Sequence, residues 1–327
     1  MDRPLENNRA SAARTTPKDF FLWAGAMVAL YWSVIAFILL VFNYINYSFP
    51  NPLSYLAPNP YDSGIGYEMA SIVVLFPAYA ILMWLIRRDI AQDPSRKEVW
   101  VRRWALIFTL FVAGATIAGD LIALLTAFFS GEELTSAFLL KALVLFLVAA
   151  VAFMHFIADF WGYWEQNASR RAMVCWSVGA LAALSVLAGF ALFGTPSSAR
   201  QYRFDEQRVN DLQNIQSQVT YYYQAKQKLP PTLTALSDPI SGFQAPTDPQ
   251  TGAPYEYQTT GALSFELCAT FSAQSWGSYG YASVPVPAGL GSSGRGFDNW
   301  AHGVGRACFE RTIDPQLYPP LNPKSVQ

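Results

Sequence analysis

Five long apolar stretches occupy most of the first 195 residues of this chain, and they limit the folds open to it. They run over residues 20–43, 67–86, 104–129, 137–162 and 173–193. Each is near or above the ~20 residues that an α-helix needs to cross a bilayer, and almost no charge interrupts them. The sequence therefore predicts an α-helical membrane bundle of five transmembrane helices, with a four-helix domain over 20–162 and a fifth helix over 173–193.

Basic residues occupy alternate connections between these stretches. Five Arg and one Lys lie in residues 87–103, and Arg170 and Arg171 lie between the fourth and fifth stretches. Residues 44–66 contain no Lys or Arg, and the connection 130–133 is acidic. Because Lys and Arg concentrate in cytoplasmic loops, we expect the tail 1–19 in the cytoplasm and the segment after Thr195 outside. The first stretch is too long for a cleavable signal peptide.

Net charge and cysteine positions add two expectations. A net charge of −1 gives no electrostatic reason to expect nucleic-acid binding. Cys175 begins the fifth stretch, where we expect a buried thiol that behaves as a small apolar side chain. Cys268 and Cys308 lie in the outside segment, where oxidation is permitted. A disulfide between them would close a loop of about 40 residues and contribute roughly 4 kcal/mol; the alternative is two unpaired thiols.

Several strings in residues 17–162 resemble an uncharacterised bacterial integral-membrane domain family with four helices. They are Pro17-Lys18-Asp19-Phe20-Phe21-Leu22, Tyr44-Ile45-Asn46-Tyr47-Ser48-Phe49-Pro50, Val101-Arg102-Arg103-Trp104, Gly119-Asp120-Leu121-Ile122, Gly131-Glu132-Glu133-Leu134-Thr135 and Phe138-Leu139-Leu140-Lys141. The resemblance implies a topology and a bacterial plasma membrane location, but no activity, because the family has none assigned.

Two pairs of polar residues lie within the apolar stretches. Asp120 and Lys141 fall in the outer halves of adjacent antiparallel helices, so we expect a structural ion pair that fixes helix register; an ion or proton site is the alternative. His155 and Asp159 are spaced i, i+4 on one helix face. They could carry protons or bind a metal, but a polar helix end is the simpler interpretation, and no metal or cofactor is predicted.

The segment after the fifth stretch has the pattern of a small α+β domain over residues 204–327. Asp205 can cap a helix whose apolar stripe is Val209, Leu212, Ile215, Val219 and Tyr222. The stripe stops at Leu229-Pro230-Pro231. Turn signals and short alternating segments around Tyr257 and Phe265 follow, which predict an antiparallel sheet.

This order resembles the globular half of type IV pilins and of the major pseudopilin of type II secretion systems. The shared elements, over residues 204–271, are Tyr221-Tyr222-Tyr223, Lys228-Leu229-Pro230-Pro231-Thr232-Leu233, Asp248-Pro249-Gln250-Thr251-Gly252, Tyr255-Glu256-Tyr257 and Phe265-Glu266-Leu267-Cys268. Two departures matter. No prepilin cleavage site precedes the fifth stretch, and four further stretches lie upstream, which an extractable pilin subunit could not retain.

The resemblance also raises the question of bound calcium and of a ligand surface. Candidate oxygen ligands are Asp238, Asp248, Glu266 and Asp298, but their scatter favours ordinary surface acids. Residues 272–307 are rich in Gly, Ser and aromatics, including Trp276, Tyr279, Tyr281 and Trp300. They could bind a sugar or peptide, although a loop held by the disulfide is the favoured interpretation. His302 lies in no hydrolase signature.

These observations favour a non-enzymatic, multi-pass cell-envelope protein that displays a pilin-like domain for partner binding or assembly. The expected partners are the bilayer and an envelope protein, with homo-oligomerisation left open. The alternative is a small-solute or proton-coupled transporter that uses Asp120, Lys141, His155 and Asp159. An enzyme would have to rely on His302 or on the His155/Asp159 pair, so no catalytic residue is predicted.

Overall fold

The computed structural model describes residues 16–49, 64–93, 96, 99–275 and 300–321, which fall into two compact units divided between Phe193 and Gly194. The first unit contains helices α1 (Pro17–Ser48), α2 (Ile65–Gln92), α3 (Trp100–Phe129), α4 (Ser136–Phe160), α5 (Tyr163–Gln166) and α6 (Ala168–Phe193). All of these except the four-residue α5 are long and apolar enough to cross a membrane. The five predicted long apolar helices are therefore confirmed, each with the length and composition of a membrane span.

Helix α1 packs against helices on several sides. Its C-terminal half and the start of α2 form one apolar cluster with α6, made of Ala36, Leu40, Ile65, Met69, Ile72, Val186 and Phe193. Its N-terminal half and the end of α2 form a second cluster with residues at the start of α3, made of Trp23, Ala26, Ile86, Val99 and Val101. The two clusters show that α1 and α2 are antiparallel.

The fifth transmembrane helix packs directly on the first two. The Tyr44 hydroxyl of α1 donates a hydrogen bond to the Ser185 carbonyl of α6 at 2.6 Å. One turn further along α6, a Cβ built at Gly189 would lie 2.7 Å from Met69 Sδ and 2.9 Å from Tyr44 Oη. Because membrane helices associate by close packing, a residue without a side chain lets α6 approach this closely.

The second unit is built from one long helix and a sheet. Helix α7 (Pro196–Lys226) is followed by a 3-10 turn (Leu233–Leu236) and by strands β1 (Glu256–Thr259), β2 (Ser264–Phe271) and β3 (Gly305–Thr312). The sheet is antiparallel in the order β1-β2-β3. Its core contains Leu212, Ile215, Val219 and Tyr223 of α7 together with Phe265, Leu267, Phe271 and Phe309 of the sheet. The predicted helix stripe and the α+β class of this unit match these elements, with Val209 and Tyr222 partly buried beside the core.

The predicted start of this helix was wrong. Helix α7 begins at Pro196, and the Thr195 hydroxyl caps it by accepting a hydrogen bond from the Ser198 backbone N–H. Asp205 lies well inside the helix, where the residue is 1% exposed and its carboxylate forms an ion pair with Arg208. Thr195 followed by Pro at the first helical position is a stronger start signal than an isolated Asp.

We expect Gly189→Val to lower the thermal stability of the membrane unit, because the new side chain would push α6 away from Met69 and Tyr44. The measurement is the midpoint of heat-induced loss of monodisperse protein in detergent, read by size-exclusion chromatography. Gly119→Val is the matched control, since nothing lies within 4 Å of a Cβ at Gly119. Equal midpoints for the two variants would show that close approach at Gly189 is unimportant.

Candidate functional site

A buried ion network joins helix α7 to the loop before β1 and to the end of β2. Arg208 lies at its centre and is 3% exposed. Its guanidinium donates to Asp205 Oδ1 at 2.6 Å, to Asp248 Oδ2 at 2.6 Å and to Gln250 Oε1 at 3.0 Å. One side chain of the helix thereby holds the 248–250 turn against the helix surface.

The two carboxylates of this network also accept hydrogen bonds from backbone N–H groups. Asp205 accepts from Ser272 at 3.0 Å and from Ala273 at 2.7 Å, which fixes the chain as it leaves β2. Asp248 accepts from the amides of Gln250 and Thr251. Burial opposes ionisation of Asp248, but the hydrogen bonds from Arg208 and these amides outweigh it and hold its pKa below the ordinary value.

A second buried pair lies one turn along the same helix face. The Tyr255 hydroxyl donates to Asp211 Oδ2 at 2.8 Å, and the Gln207 amide donates to Asp211 Oδ1 at 2.8 Å. Burial and the nearby Asp211 carboxylate raise the pKa of Tyr255, so its hydroxyl stays a donor at neutral pH. The buried polar residues Asp205, Arg208 and Asp211 therefore extend the inward face of α7 from its apolar stripe toward the N-terminus of the helix.

Three of the four candidate calcium ligands lie within the described residues. The Asp248 carboxylate accepts hydrogen bonds from the Arg208 guanidinium, whose positive charge disfavours a cation beside it. Asp238 is exposed and caps its own turn by accepting from the Ile240 and Ser241 amides. Glu266 lies beside the cysteine pair, and Asp298 is outside the described residues. These three described acids therefore lie in separate surroundings, and Asp248 belongs to the Arg208 network rather than to the open surface.

The disulfide lies on the sheet face opposite α7. Cys268 of β2 and Cys308 of β3 are directly paired in register and bonded, with their Cα atoms 4.1 Å apart, so the predicted disulfide is confirmed. Glu256 of β1 and Arg306 of β3 form an exposed ion pair, in which Arg306 Nη2 lies 2.7 Å from Glu256 Oε2. This ion pair lies beside the disulfide. Cys175 departs from expectation: it is exposed rather than buried, on a helix face open to lipid.

His302 and Trp300 are packing residues at the edge of the second unit's core. The His302 ring stacks on Phe271 with centroids 3.6 Å apart, and burial lowers its pKa, which favours the neutral ring. Trp300 is buried against Phe309, and the Arg311 guanidinium lies 4.4 Å from its ring centroid. The remaining aromatics of the candidate ligand surface, Trp276, Tyr279 and Tyr281, lie outside the described residues.

In the membrane unit, Asp120 and Lys141 are not joined. Across the described ranges no ion pair within 4.0 Å links them, and the Lys141 ammonium instead lies 5.9 Å from the Phe42 ring centroid. Asp120 is further from the α3–α4 connection than Lys141 is, so the two side chains stand at different heights. The expected structural pair is therefore corrected to two separate polar residues.

His155 and Asp159 share a helix face, but each has its own partner. The His155 ring stacks on Trp164 of α5 with centroids 5.0 Å apart, and Trp164 Nε1 donates to the His155 carbonyl at 2.9 Å. Asp159 lies 3.9 Å from Arg102, which also lies 3.8 Å from Glu165. These contacts attach α5 to the ends of α3 and α4, which agrees with the interpretation as a polar helix end.

One buried acid of the first unit was not predicted from the sequence. Glu68, in the first turn of α2, is 7% exposed, and the Asn43 amide of α1 donates to its Oε2 at 3.4 Å. Across the part of the chain that the structure describes, no Lys or Arg forms an ion pair with it. An acidic residue within the first turn of an apolar stretch was the available signal, because such residues seldom face lipid.

Comparison with known proteins identifies one domain. A family described as Domain of unknown function (DUF5671) matches residues 19–156, which span helices α1 to α4 and less than half of the chain. No curated protein and no solved structure matches the chain. The first four helices are thus similar to a domain of unknown function, in agreement with the resemblance of residues 17–162, whereas the resemblance to pilins is not confirmed.

We expect Arg208→Met to destabilise the second unit by about 3–5 kcal/mol, because Asp205 and Asp248 would stay buried without their cation. Amide hydrogen exchange of residues 212–223, measured on the full chain in detergent, should become at least a hundredfold faster. Arg203→Met on the exposed face of α7 is the control and should leave exchange unchanged. Unaltered exchange in Arg208→Met would show that the network contributes little to the stability of the second unit.

Proposed function

We propose that this chain is a non-enzymatic, multi-pass protein of the bacterial plasma membrane that displays a pilin-like α+β unit on the extracytoplasmic side. There the unit binds or assembles with another envelope protein. The observation that carries this proposal is the construction of the second unit. It has its own apolar core, and the buried Arg208 network holds the loops around that core in fixed positions.

The charge pattern and the disulfide support the same orientation. Every second connection between the apolar helices is rich in Lys and Arg, as cytoplasmic loops are. This pattern favours an outside location for residues from Gly194 onward. Disulfides persist in oxidising compartments outside the cytoplasm. The Cys268–Cys308 bond therefore supports an outer location of the second unit, and this support is independent of the Lys and Arg pattern.

Two features support the pilin-like assignment of the displayed unit. The C-terminal half of one long helix packs on an antiparallel sheet that follows it in sequence. The Asp248-Pro249-Gln250-Thr251-Gly252 turn, which carries part of the resemblance, is the loop that Arg208 binds. Because four further transmembrane helices hold the chain in the bilayer, we infer that the unit is displayed in place rather than extracted into a filament.

A second candidate function, proton-coupled or small-solute transport, has one observation in its favour. Glu68 of α2 is a buried acid, and its side chain accepts a hydrogen bond from the neutral Asn43 amide of α1. Intramembrane carboxylates of this kind often lie on ion or proton paths. One acid does not make a path, so the display function is preferred.

Crosslinking in cells followed by mass spectrometry tests the display function, with a chain ending at Phe193 as the comparison. A displayed binding unit should yield an envelope partner that disappears with residues 194–327. Crosslinks confined to the membrane helices, with transport retained by the shortened chain, would instead support the second candidate. Loss of partner crosslinks in Glu68→Gln would also contradict the display function.

We expect alkaline-phosphatase fusions after Phe193 to be active and fusions within 89–100 to be inactive, because this enzyme folds only outside the cytoplasm. Fusion abundance, measured by immunoblot, is the control. The reverse activity pattern would overturn both the orientation and the outer location of the disulfide.

We also expect residues 194–327, secreted without the membrane helices, to fold cooperatively. The fragment starts at the actual beginning of α7 and contains the complete described core of the unit. Its thermal midpoint should fall when the disulfide is reduced. The disulfide restricts the unfolded chain and thereby contributes roughly 4 kcal/mol to the free energy of unfolding. A fragment without a cooperative transition would refute an independent displayed unit.

A further inference from the structure

The outer face of the sheet is asymmetric around its disulfide. We propose that Cys268–Cys308 is a thiol–disulfide exchange site with a fixed direction, in which a dithiol attacks Cys308 and Cys268 leaves as the thiolate. Its reaction partner would be a dithiol of the thiol–disulfide oxidoreductase class.

The strand register sets the surroundings of the two sulfurs. Glu256 of β1, Cys268 of β2 and Cys308 of β3 lie side by side in one row across the sheet. Cys268 on the central strand is 3% exposed, whereas Cys308 on the outer strand is half-buried. The Glu256–Arg306 ion pair joins β1 to β3, and Arg306 Nη2 lies 3.4 Å from Cys268 Sγ. The ion pair thus lies beside the central sulfur.

The geometry of exchange favours attack on Cys308. A thiolate attacks a disulfide along the S–S axis, from the side opposite the departing sulfur. Attack on Cys268 would therefore come from the side of β1, where the Glu256–Arg306 ion pair obstructs the approach to this buried residue. Attack on Cys308 comes from the β3 side of the described sheet.

The charges around the sulfurs favour departure of Cys268. The Arg306 guanidinium would stabilise a thiolate forming at Cys268, and a more stable thiolate leaves faster. Glu266 has a carboxylate oxygen within 4.8 Å of both sulfurs, so its charge disfavours a thiolate at either of them. Glu310 follows on the same face of β3 but is exposed, and solvent screens its charge.

The reaction balances as a two-electron exchange. The attacking thiolate bonds to Cys308 Sγ, the S–S bond breaks, and its electron pair departs with Cys268, which then takes up a proton. The second thiol of the dithiol loses its proton and bonds to the first sulfur of the dithiol. The mixed disulfide then breaks, and Cys308 leaves with the electron pair and takes up a proton. The dithiol is oxidised to a disulfide while Cys268 and Cys308 are reduced, and the covalent link between β2 and β3 opens.

The direction can be read from the first mixed disulfide. The full chain in detergent is exposed briefly to glutathione, quenched with excess iodoacetamide, and analysed by peptide mass spectrometry. We expect glutathione on Cys308 and carbamidomethyl on Cys268, in at least tenfold excess over the reverse pattern. Equal amounts, an excess on Cys268, or a disulfide inert to millimolar glutathione would each overturn the proposal.

Arg306 variants test the cause of the direction. Arg306→Gln removes the guanidinium from Cys268, so the preference for Cys308 should fall below about threefold and the reaction should slow. Arg306→Lys should restore part of the preference, and Arg203→Gln on α7 removes an equal charge elsewhere and should change neither quantity. An unchanged preference in Arg306→Gln, in a chain whose α7 amides exchange normally, would reject the role of Arg306.

Discussion

Everything in this chain depends on how its backbone polar groups are satisfied in two different solvents. In a bilayer no water is present to pair with N–H and C=O groups, so the apolar stretches must form continuous helices. Helices α1 to α4 and α6 satisfy this requirement internally, and their association then rests on close packing, as at Gly189. The second unit lies outside that constraint, which permits a sheet, polar turns and a charged layer within its core.

The charged layer of the second unit gives it a defined arrangement at some cost in stability. A buried Arg with two carboxylates is rarely more stable than well-packed apolar side chains of the same volume. Arg208, however, can bind the 248–250 turn and Asp205 only in one geometry, and Asp205 in turn holds the chain after β2. A surface that must bind a partner benefits from loops held in this way, because fewer conformations are lost on binding.

Sequence patterns predicted those parts of the structure that depend on period and length. The five apolar helices and the α7 stripe follow from hydrophobic periodicity, and the disulfide follows from cysteine positions. Strand β3 was missed because its inward positions are Ala307, Phe309 and Arg311, and a charge breaks the expected alternation. Arg311 is accommodated by stacking on Trp300 and by donating to Gln216 across the unit, contacts that no local pattern reveals.

The buried charges of the candidate site also depend on contacts that no local sequence pattern reveals. Asp205 and Arg208 occupy positions that continue the face of Leu212 and Ile215, and a polar residue at such a position usually marks the end of a buried stripe. It marks a continuation here because Asp248 arrives from a distant turn to neutralise the guanidinium. Asp120 and Lys141 show the converse, since complementary charges on adjacent helices do not pair when their heights differ. A charge on a buried helix face therefore has to be judged by whether another segment can reach it, which depends on the three-dimensional arrangement of the chain.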